Sequence, residues 1–203
     1  MTASRTCRLV LAGTALASIQ VALILPTAAF GLSFSTAPAL PGLPTVTLNA
    51  KTQMSTAQMT NFAVTDTLGS GWNITVAGNT AAGDSPVFAQ YCPNAGGCGT
   101  DPFGYTLSGK TLPADSLTLN TTGASFTSLL GGTATFTCST PCDIDNATPS
   151  KIATETTGAI NATWTSTGFS TTSLTLSTAT TLKTLPASEV YRLNVIWTLN
   201  TGP

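Results

Sequence analysis

The stretch Tyr191-Arg192-Leu193-Asn194-Val195-Ile196-Trp197-Thr198-Leu199-Asn200 decides the fold. Drawn out as a strand, it puts Tyr191, Leu193, Val195, Trp197 and Leu199 on one face. Arg192, Asn194, Thr198 and Asn200 fall on the other, and Ile196 alone is out of phase. A period of two held over this length marks a β-strand with one buried face. A second stretch, Gly71-Trp72-Asn73-Ile74-Thr75-Val76, gathers Trp72, Ile74 and Val76 on one face in the same way.

Working outward, short alternating segments recur at 32–34, 45–49, 61–65, 86–91, 103–107, 116–120, 133–138, 160–164 and 173–177. They turn residues such as Val46, Leu48, Phe62, Val64, Phe136, Ile160, Ala162, Trp164 and Leu174 inward, with clusters of Gly, Pro, Ser and Asn between them. Strands of this length and spacing predict an all-β chain: a single antiparallel β-sandwich, Ig-like or jelly-roll-like, with no substantial helix. A helical turn near 126–130 is compatible with that class. The tetrapeptide Thr111-Leu112-Pro113-Ala114 returns as Thr184-Leu185-Pro186-Ala187, each copy ahead of a strand. The echo reads either as two equivalent loops entering two halves of the sandwich or as chance in a Thr- and Leu-rich chain.

Composition narrows the class. Charged residues make up 7% of the chain and hydrophobic residues 42%, so the chain can build a core and lacks the high charge of disordered segments. About one residue in five is Thr, which suits a pleated, half-exposed surface. At the N-terminus, Arg5 and Arg8 precede an apolar run from Leu9 to Leu25, ended by Pro26 and followed by Thr27-Ala28-Ala29. This is the pattern of a secretory signal over 1–29, cleaved after Ala29 or, alternatively, after Gly31; a short membrane anchor is the competing reading. Residues 30–44 form a Pro-rich connection and 45–203 the domain. Without Arg5 and Arg8 the formal charge moves from -1 to -3. No basic patch exists for a nucleic acid, and no later segment is long and apolar enough to span a membrane.

Of the five cysteines, Cys92, Cys98, Cys138 and Cys142 follow the signal. An even number in an exported chain predicts two disulfides. Local closure, Cys92–Cys98 and Cys138–Cys142, is preferred, and the two other pairings stay open. The chain has no His, which removes a Ser-His-Asp triad, a Cys-His pair and imidazole metal ligation. The eight carboxylates are scattered, and nothing in the sequence pairs two of them as a glycosidase requires. Asp143-Ile144-Asp145-Asn146 has the oxygens of a calcium loop without its Gly and closing Glu, and reads as a solvated turn. No catalysis, cofactor or metal is expected.

The terminal strand with Trp197-Thr198-Leu199 six residues after Tyr191, together with the earlier Gly71-Trp72-Asn73-Ile74 strand and its approach Asn61-Phe62-Ala63-Val64-Thr65-Asp66, resembles the WxL domain of Gram-positive surface proteins. The likeness spans most of residues 32–203, with Ile74 where Leu is usual. It implies non-covalent attachment to the peptidoglycan cell wall through both Trp motifs and the terminal region, and hence a secreted, wall-associated location. Carried over by position, the binding residues are Trp72, Ile74, Tyr191, Trp197 and Leu199, with peptidoglycan or an associated wall polymer, and other surface proteins, as partners. On the residues alone, Trp72 and Trp197 serve equally well as core plugs, each removing about 200 Å² from water and stabilising by roughly 5 kcal/mol. The final strand is expected at a sheet edge, its outer side toward the wall. The alternative is a structural subunit that self-assembles into a fibre or surface layer by strand addition.

Overall fold

The computed structural model describes residues 4–11, 15–22, 31–44, 51–157, 159–186 and 188–203, with side chains from residue 31 onward except Thr157. Among these residues no helix forms. One sheet runs in the order β16 (Val190–Thr201), β6 (Trp72–Gly78), β13 (Ser150–Thr157), β11 (Thr133–Phe136). Beside β16, on the same side as β6, β7 (Ala89–Cys92) and β8 (Gly104–Tyr105) continue it. A second sheet orders β10 (Ser125–Ser128), β14 (Ala162–Thr167), β5 (Ala63–Asp66) and β3 (Leu32–Thr36), and a third orders β12 (Cys142–Asp143), β9 (Leu117–Leu119), β15 (Leu174–Thr178) and β4 (Gln53–Ala57). All pairings among β3–β16 are antiparallel, giving an all-β, sandwich-like architecture. β1 (Ser4–Leu11) and β2 (Ala15–Ala22) form a hairpin, and β2 runs parallel to Val190–Ile196 of β16.

The inward faces of the three sheets meet in one core. Aromatic rings join the first sheet to the second. Trp72 meets Phe126 edge-on at 5.4 Å and Trp164 at 5.9 Å, and Phe126 stacks on Phe136 at 4.3 Å. Phe62 stands at the middle, 5.8–6.4 Å from the rings of Phe34, Phe126, Phe136, Phe169 and Trp197. Ser166 fixes it there: the Phe62 N–H donates to Ser166 Oγ at 2.7 Å, and the Ser166 N–H donates to the Phe62 carbonyl at 2.9 Å. Edge and offset contacts of this kind add about 0.5–1.5 kcal/mol per pair beyond the area buried.

Cys92–Cys98 closes the loop after β7, and Cys138–Cys142 joins the end of β11 to β12 across two sheets. The preferred local connectivity is the one formed. The 30–44 segment is part of the domain from residue 31 onward. β3 pairs with β5, and Leu40 and Leu43 enter the core.

Several local expectations change. Where a helical turn near 126–130 was compatible with the sequence, the chain instead forms strand β10 up to Ser128. Ile160 is 64% exposed; Asn161 takes φ +59°, which turns the chain and delays the strand to Ala162. β13 was not foreseen because a register shift between Lys151 and Ala153 puts Ile152 and Ala153 inward in succession and breaks the period of two. β16 is not an edge strand in the described chain, since β2 lies on one side and β6 and β7 on the other. The expected strand at 45–49 and the cleavage position at Ala29 lie outside the described residues.

The 143–146 turn is not solvated: Ile144 and Asp145 are buried. Asp145 Oδ2 accepts the Ser116 N–H at 3.0 Å, holding the start of β9. Burial pushes its pKa up to about 7, with the backbone donors at Leu117 and Ser116 pulling part of the way back. The native state therefore keeps a proton that the unfolded chain has lost between pH ~4 and ~7, and the stability this contributes falls as pH rises through that window. Between pH 5 and pH 8 the chain should lose on the order of 3 kcal/mol from this group. Asp145→Asn should flatten the profile in urea unfolding, leaving only the slope contributed by the other carboxyls whose pKa is raised by burial, Glu189 and Asp143. A variant with an unchanged slope would exclude Asp145 as the source. Trp197, 0% exposed, should cost about 3–5 kcal/mol when replaced by Ala. A loss below about 1 kcal/mol would mean that the ring is not packed as described.

Candidate binding surface

The two Trp motifs lie on neighbouring strands. In the β6–β16 ladder Leu199 faces Ile74, Trp197 faces Val76 and Thr201 faces Trp72. Gly71, at φ +75°, opens the first motif, and its carbonyl accepts the Gly202 N–H at 2.9 Å. A side chain at Gly71 would strain that turn. At the other end of β6, a Cβ on Gly78 would lie 1.9 Å from the Pro86 carbonyl oxygen, so only glycine lets the following loop pass there.

The five residues carried over as binding residues all belong to the core. Trp72, Ile74, Tyr191 and Trp197 are 0% exposed and Leu199 is 4% exposed. No ligand reaches the side chains of Trp72, Ile74, Trp197 and Leu199 while the fold is intact, and of the five only Tyr191 also borders a surface cavity. Their packing role is the one the structure assigns, and the reverse face of the same ribbon is what they present to solvent. There Asn200 pairs with Asn73, Thr198 with Thr75 and Ile196 with Ala77, all of them half-buried. Asn200 Nδ2 donates to Asn73 Oδ1 at 3.1 Å, and Asn73 Nδ2 donates to the Gly202 carbonyl at 2.9 Å. Thr75, Ala77, Ile196 and Thr198 form the floor of a groove of about 320 Å³ walled by Thr80, Ala147 and Pro149. The out-of-phase Ile196 thus supplies an apolar patch on an otherwise amide- and hydroxyl-bearing face.

Toward Val190 the same face is closed by a polar and aromatic network. The Arg192 guanidinium lies over the Tyr91 ring, 4.1 Å from its centre, and its Nε donates to Asn194 Oδ1 at 3.3 Å. Asn194 and Asn79 both donate to the Asp84 carboxylate. Tyr105 meets Tyr91 edge-on at 5.0 Å. Burial raises the Tyr105 pKa far above its ordinary value, against the opposing charge of Arg192. Burial likewise lowers that of Arg192, partly offset by Tyr91 and Tyr105. Asn194, foreseen as a polar neighbour on the outer face, is held within this network.

The fold also pairs two carboxyl groups that the sequence left apart. Gln90 Nε2 donates to Glu189 Oε2 at 2.5 Å and to Asp101 Oδ2 at 3.0 Å. Burial first, then the neighbouring Asp101 carboxyl, raises the Glu189 pKa. Glu189 is 0% exposed, so the pair does not face a cleft as glycoside hydrolysis needs. Among the described residues no group of three His, Cys, Asp or Glu is placed to share a metal ion. Asp145 points inward to Ser116, and Asn146 Nδ2 donates to Asp115 Oδ1 at 2.6 Å. No helix among them is long and apolar enough to cross a membrane. No protein-family model matches the chain, and no curated protein matches it either.

Proposed function

We propose that the chain is a secreted, non-catalytic surface protein that associates non-covalently with the Gram-positive cell wall, using the outer face of its two Trp strands. One observation carries the reading: the groove whose floor sets apolar Ala77 and Ile196 beside the hydroxyls of Thr75 and Thr198, with the Asn73–Asn200 pair next to it. A sugar ring is apolar on its face and hydroxylated at its edge, and it fits such a surface without aromatic stacking. The groove volume lies at the lower end of the range usual for small-ligand pockets, about 300–1,000 Å³. The Trp side chains then act indirectly, by keeping this ribbon flat and in register. Peptidoglycan or an attached wall polymer is the ligand class; no reaction is assigned.

Truncation after Tyr191 removes the partner strand of β6, so it tests folding rather than retention. A point substitution on the outer face is the sharper tool. Ile196→Thr keeps the β-branched shape and should cost at most about 1–2 kcal/mol of stability. Its sedimentation with purified walls should fall several-fold, while Trp197→Phe, on the core face, should keep sedimentation if it folds. Equal sedimentation of wild type and Ile196→Thr would remove the groove from the proposal.

A second reading is favoured by the β2–β16 pairing. The segment read as a signal occupies the backbone edge of Val190–Ile196. Its removal would open that edge to a strand from another molecule, the condition for assembly by strand addition. Electron microscopy of purified 30–203 separates the two readings. Regular filaments that disappear on adding a peptide spanning Ala15–Ala22 support assembly; monomers that pellet only with walls support the first reading.

A further inference from the structure

The repeated tetrapeptide is longer than it first looks, and the fold uses both copies. With the preceding residue included, Lys110-Thr111-Leu112-Pro113-Ala114 recurs as Lys183-Thr184-Leu185-Pro186-Ala187. Leu112 and Leu185 are both buried. The residue after each Ala takes a left-handed conformation, Asp115 at φ +63° and Ser188 at φ +73°. Each Pro carbonyl accepts from the residue three further on: Pro113 from Ser116 Oγ at 2.7 Å, and Pro186 from the Glu189 N–H at 3.2 Å. One copy then enters β9 in the third sheet and the other enters β16 in the first. The two copies thus share a buried Leu, a left-handed residue after the Ala and an accepting Pro carbonyl, although one carbonyl takes a side-chain hydroxyl and the other a backbone N–H.

The two loops converge. Lys110 Nζ donates to the Thr184 carbonyl of the other copy at 2.8 Å. Tyr191, its ring in the core, donates its hydroxyl to the Lys183 carbonyl at 2.7 Å. Between the copies lies a cavity of about 400 Å³, lined by Lys110, Lys183, Ser108, Thr111, Thr181 and Tyr191. No acid is among its lining residues. The whole chain has seven Lys and Arg, and two of them meet here. The acid that feels Lys110, Glu189, is buried beside Asp101 and does not line the cavity.

The donor set selects the ligand. Two ammonium groups act as point charges that suit a tetrahedral oxyanion, with the hydroxyls of Ser108, Thr111 and Thr181 as further donors and that of Tyr191 committed to the Lys183 carbonyl. The planar fork that would favour a carboxylate is absent from the lining, and Arg192 lies over Tyr91 instead. We propose that the cavity at the head of the two loops, with Lys110 and Lys183 on its lining beside Ser108, Thr111 and Thr181, is a phosphate-binding site. Its ligand is the phosphate of a phosphodiester-linked polymer or free inorganic phosphate. The envelope reading supplies only the natural source of that phosphate; the site itself stands on the loop geometry.

Calorimetry on purified protein, with inorganic phosphate in one arm and a short poly(glycerol phosphate) in the other, tests the site apart from wall retention. Lys183 is exposed, so Lys183→Gln should fold normally and weaken binding about tenfold or more. Lys183→Arg should retain most of it, and Lys151→Gln, on an exposed residue of β13, should leave it unchanged. Tighter binding of the polymer than of the free ion assigns the source to a polymer; the reverse assigns it to the ion. No saturable binding in either arm, or equal losses in Lys183→Gln and Lys151→Gln, overturns the site. Sedimentation with walls, scored separately, reports on the envelope reading whatever the calorimetry gives.

Discussion

The aromatic interlock between the first and second sheets is the constraint on which the other features depend. Trp72 and Trp197 project from adjacent strands of one sheet, and Phe126 and Trp164 project from the other. Phe62 sits among them with its backbone tied to Ser166. Each Trp removes about 200 Å² from water, worth roughly 5 kcal/mol, against a net stability of about 5–15 kcal/mol for a typical domain. The three indole N–H groups find no acceptor. An unmet donor costs about 1–3 kcal/mol, so burial of each ring still outweighs its orphaned nitrogen.

This packing determines what the outer faces can do. Because the rings fill the interior, the β6–β16 ribbon shows its amide, hydroxyl and short aliphatic residues to solvent. At one end Arg192, Asn194 and Asp84 lock that face into a closed network; at the other Ala77, Ile196 and Thr198 leave a groove. The same core draws Leu112 and Leu185 inward from their two loops, which brings the preceding lysines toward each other. Residues that fill the interior thereby set the spacing of residues that do not.

Much of the architecture was legible where alternation was unbroken. In β16 every core-face residue from Tyr191 to Leu199 is buried as the pattern required, and β6 behaves in the same way. The pattern failed where the backbone departs from an even pleat. A bulge in β13 put Ile152 and Ala153 inward in succession, and Lys151 and Glu155 gave that strand a polar look. The left-handed Asn161 sent Ile160 to the surface. The local disulfides were also legible, since cysteines four and six residues apart at loop ends can close without long-range information.

The sequence by itself determined the class of the protein: strands, their inward residues, the loop staples and a chain poor in charge. It did so because side-chain alternation and local loop closure are short-range properties. Only the tertiary structure decided that the motif tryptophans are interior, that Gln90 joins Asp101 to Glu189, and that two lysines 73 positions apart line one cavity. Those relations depend on which sheet faces which, and packing over long sequence separations settles that, where no local periodicity reaches.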